Sequence, residues 1–128
     1  MNYIEKRRFV RLDINSRLNF QFMESGSEKP VVKYATGNVK NLSVEGVCFS
    51  SDKEIKPGSR IELEIFLPNG KAPIKIKGEV VWSKPIKNDK ETVFDTGVKL
   101  INVAVGDENR FLVYMCDKMT EQLNRYLK

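Results

Sequence analysis

Two runs of alternating apolar residues in the middle of the chain favour a fold built on β-sheet. A period of two residues is typical of a strand that buries one face. The turn sequence Pro68-Asn69-Gly70 separates the runs, so the pattern predicts a β-hairpin. The alternating residues are Ile61, Leu63, Ile65 and Leu67 before the turn and Ile74, Ile76, Val80 and Trp82 after it.

The remaining β-type segments raise the predicted number of strands to six. They are residues 16–23, 31–39, 47–50 and 92–103. Gly97, inside the last of them, marks a position where a side chain is costly or a bend is needed. The charged, Pro-containing segment 84–90 is predicted to be a loop. Six short and mostly antiparallel strands favour a small closed barrel.

The apolar period changes after Gly106 and predicts one C-terminal α-helix over residues 107–127. Acidic residues in its first turn and basic residues in its last suit the helix dipole. We expect the helix to dock on its own barrel through one stripe; the spacing also suits a coiled coil, for which the segment is short. The stripe, with spacings of 4, 3, 4 and 3, is Leu112, Cys116, Met119, Leu123 and Tyr126.

Length and composition indicate one domain over residues 1–128, with 41% apolar residues. We expect a flexible arginine-rich arm at 1–15, a barrel at 16–103 and the helix at 107–127. The chain contains no His, which removes the usual acid–base catalyst and metal ligand near neutral pH. The sequence therefore favours a protein that is not an enzyme and has no metal site or cofactor.

Cysteine usage and the N-terminus predict a cytoplasmic protein. The two Cys residues, Cys48 and Cys116, form no paired motif, which suits a reducing compartment. The first residues lack the apolar run of a secretory signal. The longest apolar stretch, 111–116, is far shorter than the roughly 20 residues of a membrane-spanning helix, so no membrane insertion is expected.

Positive charge is concentrated at the N-terminus. The net charge is +5, from 22 basic and 17 acidic residues, and residues 5–11 supply +3 of it through Lys6, Arg7, Arg8 and Arg11 against Glu5. Guanidinium groups pair with two acceptors at once, such as phosphate oxygens or the O6 and N7 of guanine. The cluster predicts a site for a small anion, and a solvated basic tail is the alternative.

A second polar group lies between two predicted strands, in the segment Asn41-Leu42-Ser43-Val44-Glu45-Gly46. Asn41 offers an amide donor and a carbonyl acceptor, and Ser43 offers a hydroxyl. Gly46 allows a ligand to approach the backbone. The alternative is an ordinary turn, because the same residue types favour turns for reasons of backbone geometry.

The two groups, in this order, resemble the signature of the PilZ domain: RxxxR, here Arg7 to Arg11, followed by [D/N]xSxxG, here Asn41 to Gly46. The resemblance implies a six-stranded antiparallel PilZ-type β-barrel with a C-terminal α-helix. It also implies binding of the bacterial second messenger cyclic di-GMP, with Arg7 and Arg11 on phosphate and guanine and Arg8 stacking or contacting phosphate. Asn41 would contact a guanine edge, Ser43 guanine or phosphate, and Gly46 would keep the surface open.

Trp82 matches a position where PilZ domains often place a ligand contact, although it also continues the inward period of its strand. Two interpretations of Trp82 stay open: its ring stacks on guanine, or it packs at the rim of the barrel.

We expect ligand binding to fold the N-terminal arm over the barrel and so regulate an unidentified downstream protein. A ligand-independent adaptor is the alternative. A barrel that binds single-stranded nucleic acid is disfavoured, because most aromatic residues of the strands are at positions predicted to face the barrel interior.

Overall fold

Six strands and one helix make up the part of the chain that the computed structural model describes, residues 12–23, 35–67, 72–87 and 91–127. The strands form a closed barrel in the order β1-β2-β3-β6-β5-β4, and every neighbouring pair is antiparallel. The predicted barrel with a C-terminal helix is therefore confirmed. The elements are β1 (Leu12–Phe22), β2 (Ala35–Leu42), β3 (Gly46–Ser51), β4 (Arg60–Ile65), β5 (Ile74–Lys87), β6 (Thr92–Val103) and α1 (Glu108–Leu127).

The barrel interior is filled by the side chains at the inward-facing positions of the strands. Leu63 of β4 pairs with Phe20 on one side and with Ile76 on the other, and all three side chains are buried. The Phe20 ring lies 5.1 Å from that of Phe49, centroid to centroid. The alternation in the sequence thus identified the core residues of β4 and of the first part of β5.

The first strand begins at Leu12, earlier than the predicted start at Ser16. Leu12 is fully buried and pairs with Leu42, so it belongs to the barrel rather than to the arm. An irregularity in the register lies between Asp13 and Ser16. This break, together with the polar side chain of Ser16 in the inward phase, hides the start of the strand in the sequence.

The predicted loop at 84–90 is wrong over its first half, because β5 continues to Lys87. Trp82 therefore lies within β5 and does not end it. Residues 84–87 pair with β6, including Pro85 with Phe94, whereas β4 pairs with β5 only as far as Glu79. Within the described ranges, residues 84–87 thus have a strand partner on one side only, and a proline, which has no amide hydrogen, is tolerated at such a position.

The C-terminal helix packs on the barrel through a different face from the predicted stripe. Phe111, Tyr114 and Met115 are buried in the common core. The predicted stripe is exposed at Leu112, Cys116, Met119 and Leu123, and the side chain of Tyr126 lies outside the described ones. The stripe prediction is wrong because a second set of apolar residues, with larger side chains, faces the barrel. No helix in the described residues has the length and apolar character needed to span a membrane.

A polar cluster fastens the start of α1 to the barrel. Asp107 precedes the helix, and its Oδ2 accepts a hydrogen bond of 3.0 Å from the backbone amide of Lys75. Arg110 donates to Asp107 Oδ1 at 2.6 Å and to the carbonyl oxygen of Ala72 at 2.7 Å. The hydrogen bond from Arg110, followed by that from Lys75, lowers the pKa of Asp107 below its ordinary value of 3.8.

We expect Asp107→Asn to lower the free energy of unfolding at neutral pH by about 1 kcal/mol, because it removes an anion near the helix N-terminus and its pairing with Arg110. Since the pKa is depressed in the folded state, this stabilisation is fully present above about pH 5 and is lost as the pH falls through 3.8 toward the folded value. Urea unfolding of both proteins at about pH 7 and pH 3 measures the effect. A difference that stays constant between the two pH values would contradict this account.

Candidate functional site

A row of paired residues crosses the outer surface of the barrel from β2 to β5. Asn41 pairs with Cys48 on β3, Cys48 with Gly97 on β6, and Gly97 with Trp82 on β5. Val47 and Phe49, on either side of Cys48, are buried. Because side chains alternate along a strand, Cys48 faces outward. The register therefore places Asn41 and Trp82, two of the predicted site residues, at the two ends of one row of outward-facing positions that curves around the barrel from β2 to β5.

An ion pair between Lys40 and Asp95 lies beside this row. A register shift between Val39 and Asn41 places an extra residue, Lys40, on β2. Its ammonium nitrogen lies 2.8 Å from Asp95 Oδ2 on β6, so the lysine reaches across β3. The hydrogen bond to Asp95 raises the pKa of Lys40 above its ordinary value of 10.5, and partial burial opposes this rise. The lysine remains positively charged at neutral pH, with much of its charge balanced by Asp95.

Trp82 lies against the backbone of Gly97. A Cβ atom at Gly97 would lie 2.3 Å from Trp82 Nε1 and Cε2, so only glycine permits the observed position of the indole. A register shift between Val80 and Trp82 turns the tryptophan from the inward phase of its strand to the outer surface. The side chain is half-buried, and Lys84 Nζ lies 5.4 Å from the ring centroid. An aromatic surface and a cation thus lie together at this end of the row.

The loop between β2 and β3 is organised by Ser43. Its hydroxyl oxygen accepts hydrogen bonds from the backbone amides of Glu45, at 3.3 Å, and Gly46, at 3.1 Å. The backbone amide of Ser43 donates to the carbonyl oxygen of Gly46 at 2.8 Å, and the side chain is buried. These contacts are those of a side-chain-stabilised turn, so in this structure Ser43 shapes the loop that follows Asn41.

Gly46 is required by the close approach of two strands. It pairs with Lys99 on β6, and an added Cβ would lie 2.8 Å from the carbonyl oxygen of Val98. Any larger residue would push β3 and β6 apart. The absence of a side chain at Gly46 therefore serves the packing of the barrel next to the loop.

Of the predicted site residues, Asn41, Ser43, Gly46 and Trp82 lie in the described part of the chain, whereas Arg7, Arg8 and Arg11 lie outside it. The sequence interpretation missed Lys40, Asp95 and Lys84. Lys40 is adjacent to Asn41 in the sequence, but its position over β3 depends on the register shift in β2. No pattern in the sequence indicates that shift.

A model of the PilZ domain family matches residues 5–115 of the chain. The chain belongs to the PilZ family. This match includes both motifs, Arg7 to Arg11 and Asn41 to Gly46, and it extends through β6 into α1. A comparison with curated proteins finds no match to this PilZ chain.

Solved structures of other PilZ proteins share the fold. The PilZ domain of Escherichia coli YcgR with c-di-GMP has a TM-score of 0.62 and 12% identity, with 96% of this chain and 98% of that chain covered. The Bacillus subtilis inhibitor of motility MotI (DgrA) has a TM-score of 0.66 and 20% identity, with 93% and 52% covered. The complex of K. pneumonia MrkH with c-di-GMP has a TM-score of 0.65 and 14% identity, with 93% and 55% covered. This PilZ chain thus spans about half the length of MotI and MrkH.

Proposed function

We propose that this PilZ chain binds cyclic di-GMP and, without catalysing a reaction, regulates a downstream protein of the motility or biofilm type. Membership of the PilZ family supports the proposal. YcgR and MrkH, two structures that share the fold, have been solved with c-di-GMP. The ligand has two phosphates and two guanines, which suits a site that combines arginine, amide and aromatic side chains.

One observation in the barrel carries the assignment of the site. β1 begins at Leu12, the residue that follows Arg11, and Leu12 pairs with Leu42. Leu42 lies between Asn41 and Ser43 in the sequence. The chain therefore enters the barrel from the arginine motif at the strand end that holds the second motif, which supports a single site formed by both.

The row of paired residues from Asn41 to Trp82, which we call the outer row, sets the extent of the proposed site. Along the curved wall of the barrel, Asn41 and Trp82 are three strand spacings apart, an arc of roughly 14 Å at about 4.8 Å per spacing. Between them lie Cys48 and Gly97, with little side-chain volume. Because the row curves with the barrel wall, the two bases of the ligand need not contact both of its ends.

The charges on this surface support an assignment of the phosphates to the arginines. Lys40 is already paired with Asp95, and Lys84 lies over Trp82. We therefore propose that Arg7 and Arg11 hold phosphate and a guanine edge and that Arg8 stacks or adds a phosphate contact. Asn41 would then hydrogen-bond a guanine edge, and Trp82 would stack on a base. Ser43 and Gly46 would hold the shape of the loop that follows Asn41.

The proposed output is a change in the contacts of the arginine motif. A ligand shifts a conformational equilibrium only as far as it binds one state better than the other. Two phosphates neutralise the repulsion among Lys6, Arg7, Arg8 and Arg11, which supplies that difference in affinity. The bound form would present a new surface to a protein partner.

Titration of the purified protein with cyclic di-GMP tests this function, with GTP and linear pGpG as competing ligands. Isothermal titration calorimetry should show saturable binding of cyclic di-GMP and much weaker binding of the other two. Trp82 is the only tryptophan in the chain, so its fluorescence should change over the same concentration range if the ligand lies on the outer row.

Two results would contradict the proposal. Absence of binding at high ligand concentration would leave a ligand-independent adaptor. Strongly salt-dependent binding of single-stranded RNA or DNA, with no selectivity for cyclic di-GMP, would identify a nucleic-acid-binding barrel instead.

A further inference from the structure

The helix α1 has three distinct sides, and its own barrel uses only one of them. Phe111, Tyr114 and Met115 are buried against the core. At 100° per residue, the exposed apolar residues lie about 110° around the helix from this face. We call them the apolar stripe; its members are Leu112, Cys116, Met119 and Leu123.

The apolar stripe is well exposed along its whole length. The exposed fractions are 51% for Leu112, 40% for Met119 and 57% for Leu123. Among the described side chains of α1, none after Met115 is buried. The helix therefore contacts the barrel through its first half, while its second half presents apolar side chains to solvent. A contiguous row of this kind is typical of an interaction surface.

The positions of the charged residues on α1 limit what can cover the apolar stripe. Asp117 and Glu121 lie on the third side of the helix, and Lys118 lies near the barrel face, half-buried. The residues that border the stripe, Val113 and Thr120, are uncharged. An occupant must therefore be apolar and need not carry charge, which excludes an acidic or basic peptide as the best fit.

We propose that the apolar stripe pairs with the same stripe of a second copy of this chain, forming an antiparallel helix pair. Spacings of 4, 3 and 4 residues are those by which two α-helices interlock. In the antiparallel arrangement Leu112 faces Leu123 of the second copy, and Cys116 faces its Met119. The stripe is thus complementary to itself.

The position of the barrel favours the antiparallel direction. Because each barrel lies against the first half of its helix, a parallel pair would bring the two barrels together at one end, whereas an antiparallel pair separates them. Each copy has a net charge of +5, so separation of the barrels also reduces the repulsion between the copies.

The area of the stripe indicates a weak dimer. A standard interface buries about 800 Å² per partner, which is more than the four side chains of the stripe supply, so the dimer forms only at raised protein concentration. The pairing does not depend on the proposed ligand.

Sedimentation equilibrium over a range of protein concentrations tests the pairing, with Leu123→Asp and Asn124→Asp as matched variants. Both variants add one negative charge near the same helix end, but Asn124 lies on the charged side. The average mass of the wild type and of Asn124→Asp should rise toward twice the chain mass. Leu123→Asp should remain monomeric. Leu123 is exposed, so its replacement leaves the barrel folded, and circular dichroism verifies this.

Cross-linking tests the direction of the pair. The double variant Cys116→Ser, Met119→Cys, mixed with the wild type, places its new thiol opposite Cys116 of the wild-type copy and has no second thiol on its own stripe, so mild oxidation of the mixture should yield a disulfide-linked dimer. The wild-type protein, with Cys116 alone on the stripe, should yield little. A wild-type protein that is monomeric at every concentration would overturn the proposal and assign the stripe to another occupant. Dimerisation of Leu123→Asp equal to that of the wild type would overturn it as well.

Discussion

Replacing Arg7 and Arg11 together with Ala will raise the Kd for cyclic di-GMP by about 100-fold or more. Each substitution removes a charge-assisted hydrogen bond worth about 1.5–3 kcal/mol, and each 1.4 kcal/mol corresponds to a tenfold change in Kd. The loss should occur in both the calorimetric titration and the Trp82 fluorescence titration.

A matched control separates this specific loss from a general effect of charge. Arg17 is exposed on β1 over the ring of Phe66, and Arg60 lies on β4, opposite β3 in the barrel. The double variant Arg17→Ala, Arg60→Ala removes the same two charges away from the outer row and should change the Kd only a few-fold. Equal losses in the two double variants would indicate long-range attraction only, and the site assignment would then be wrong.

Replacing Ile76 with Ala will lower the free energy of unfolding by about 2–5 kcal/mol, the usual cost of emptying a fully packed aliphatic position. Ile76 is 1% exposed and pairs with Leu63 on β4 and Val103 on β6. Because the barrel is closed, the surrounding strands cannot move inward freely to fill the cavity. Urea unfolding measures the change.

Ile86→Ala is the control, because it makes the same substitution on the same strand at a residue that is 45% exposed. It should cost less than about 1 kcal/mol, since surface substitutions usually have small effects. If both variants lost the same stability, β-propensity rather than core packing would explain the result. Ligand binding by Ile86→Ala should also stay close to that of the wild type.

The sequence predicts the strands well where alternation is regular and fails at the register shifts. Ile61 to Ile65 and Thr92 to Val103 lie in strands as expected. At Val80 and Trp82 the sequence continues the inward pattern, but the shift between them turns Trp82 outward. Such a shift depends on pairing between strands that are distant in the sequence. Local periodicity cannot reveal it.

The helix α1 shows a second limit of prediction from sequence. One apolar row, from Leu112 to Leu123, runs along α1, whereas a shorter apolar group lies on another side of its first half, and periodicity favours the longer row. The group with Phe111, Tyr114 and Met115 is buried, which is consistent with the larger apolar area of aromatic side chains. The regular row of Leu112 and Leu123 was the more obvious pattern but remained outside. Counting buried area rather than regularity would have favoured the correct face.

The candidate site was predictable in composition but not in geometry. The motif from Asn41 to Gly46 was located from the sequence, yet the hydrogen bonds of Ser43 and the contact of Gly46 with β6 depend on the folded loop. The pair of Lys40 and Asp95 joins residues on β2 and β6 across the intervening strand. Only the sheet order brings these two residues together.

Among the described residues, the extension of β5 beyond β4 has a neighbouring strand on one side only, which is a kind of strand edge that a closed barrel otherwise lacks. From Lys84 to Lys87 the strand pairs with β6 on one side, while β4 has already ended its pairing at Glu79. An exposed edge of this kind can template the addition of a strand from another molecule. Pro85 offers no amide hydrogen to such a strand, and the positive charge of Lys84 repels the same lysine of a second copy. Pro85 and Lys84 thus make this short edge a poor template for edge-to-edge aggregation.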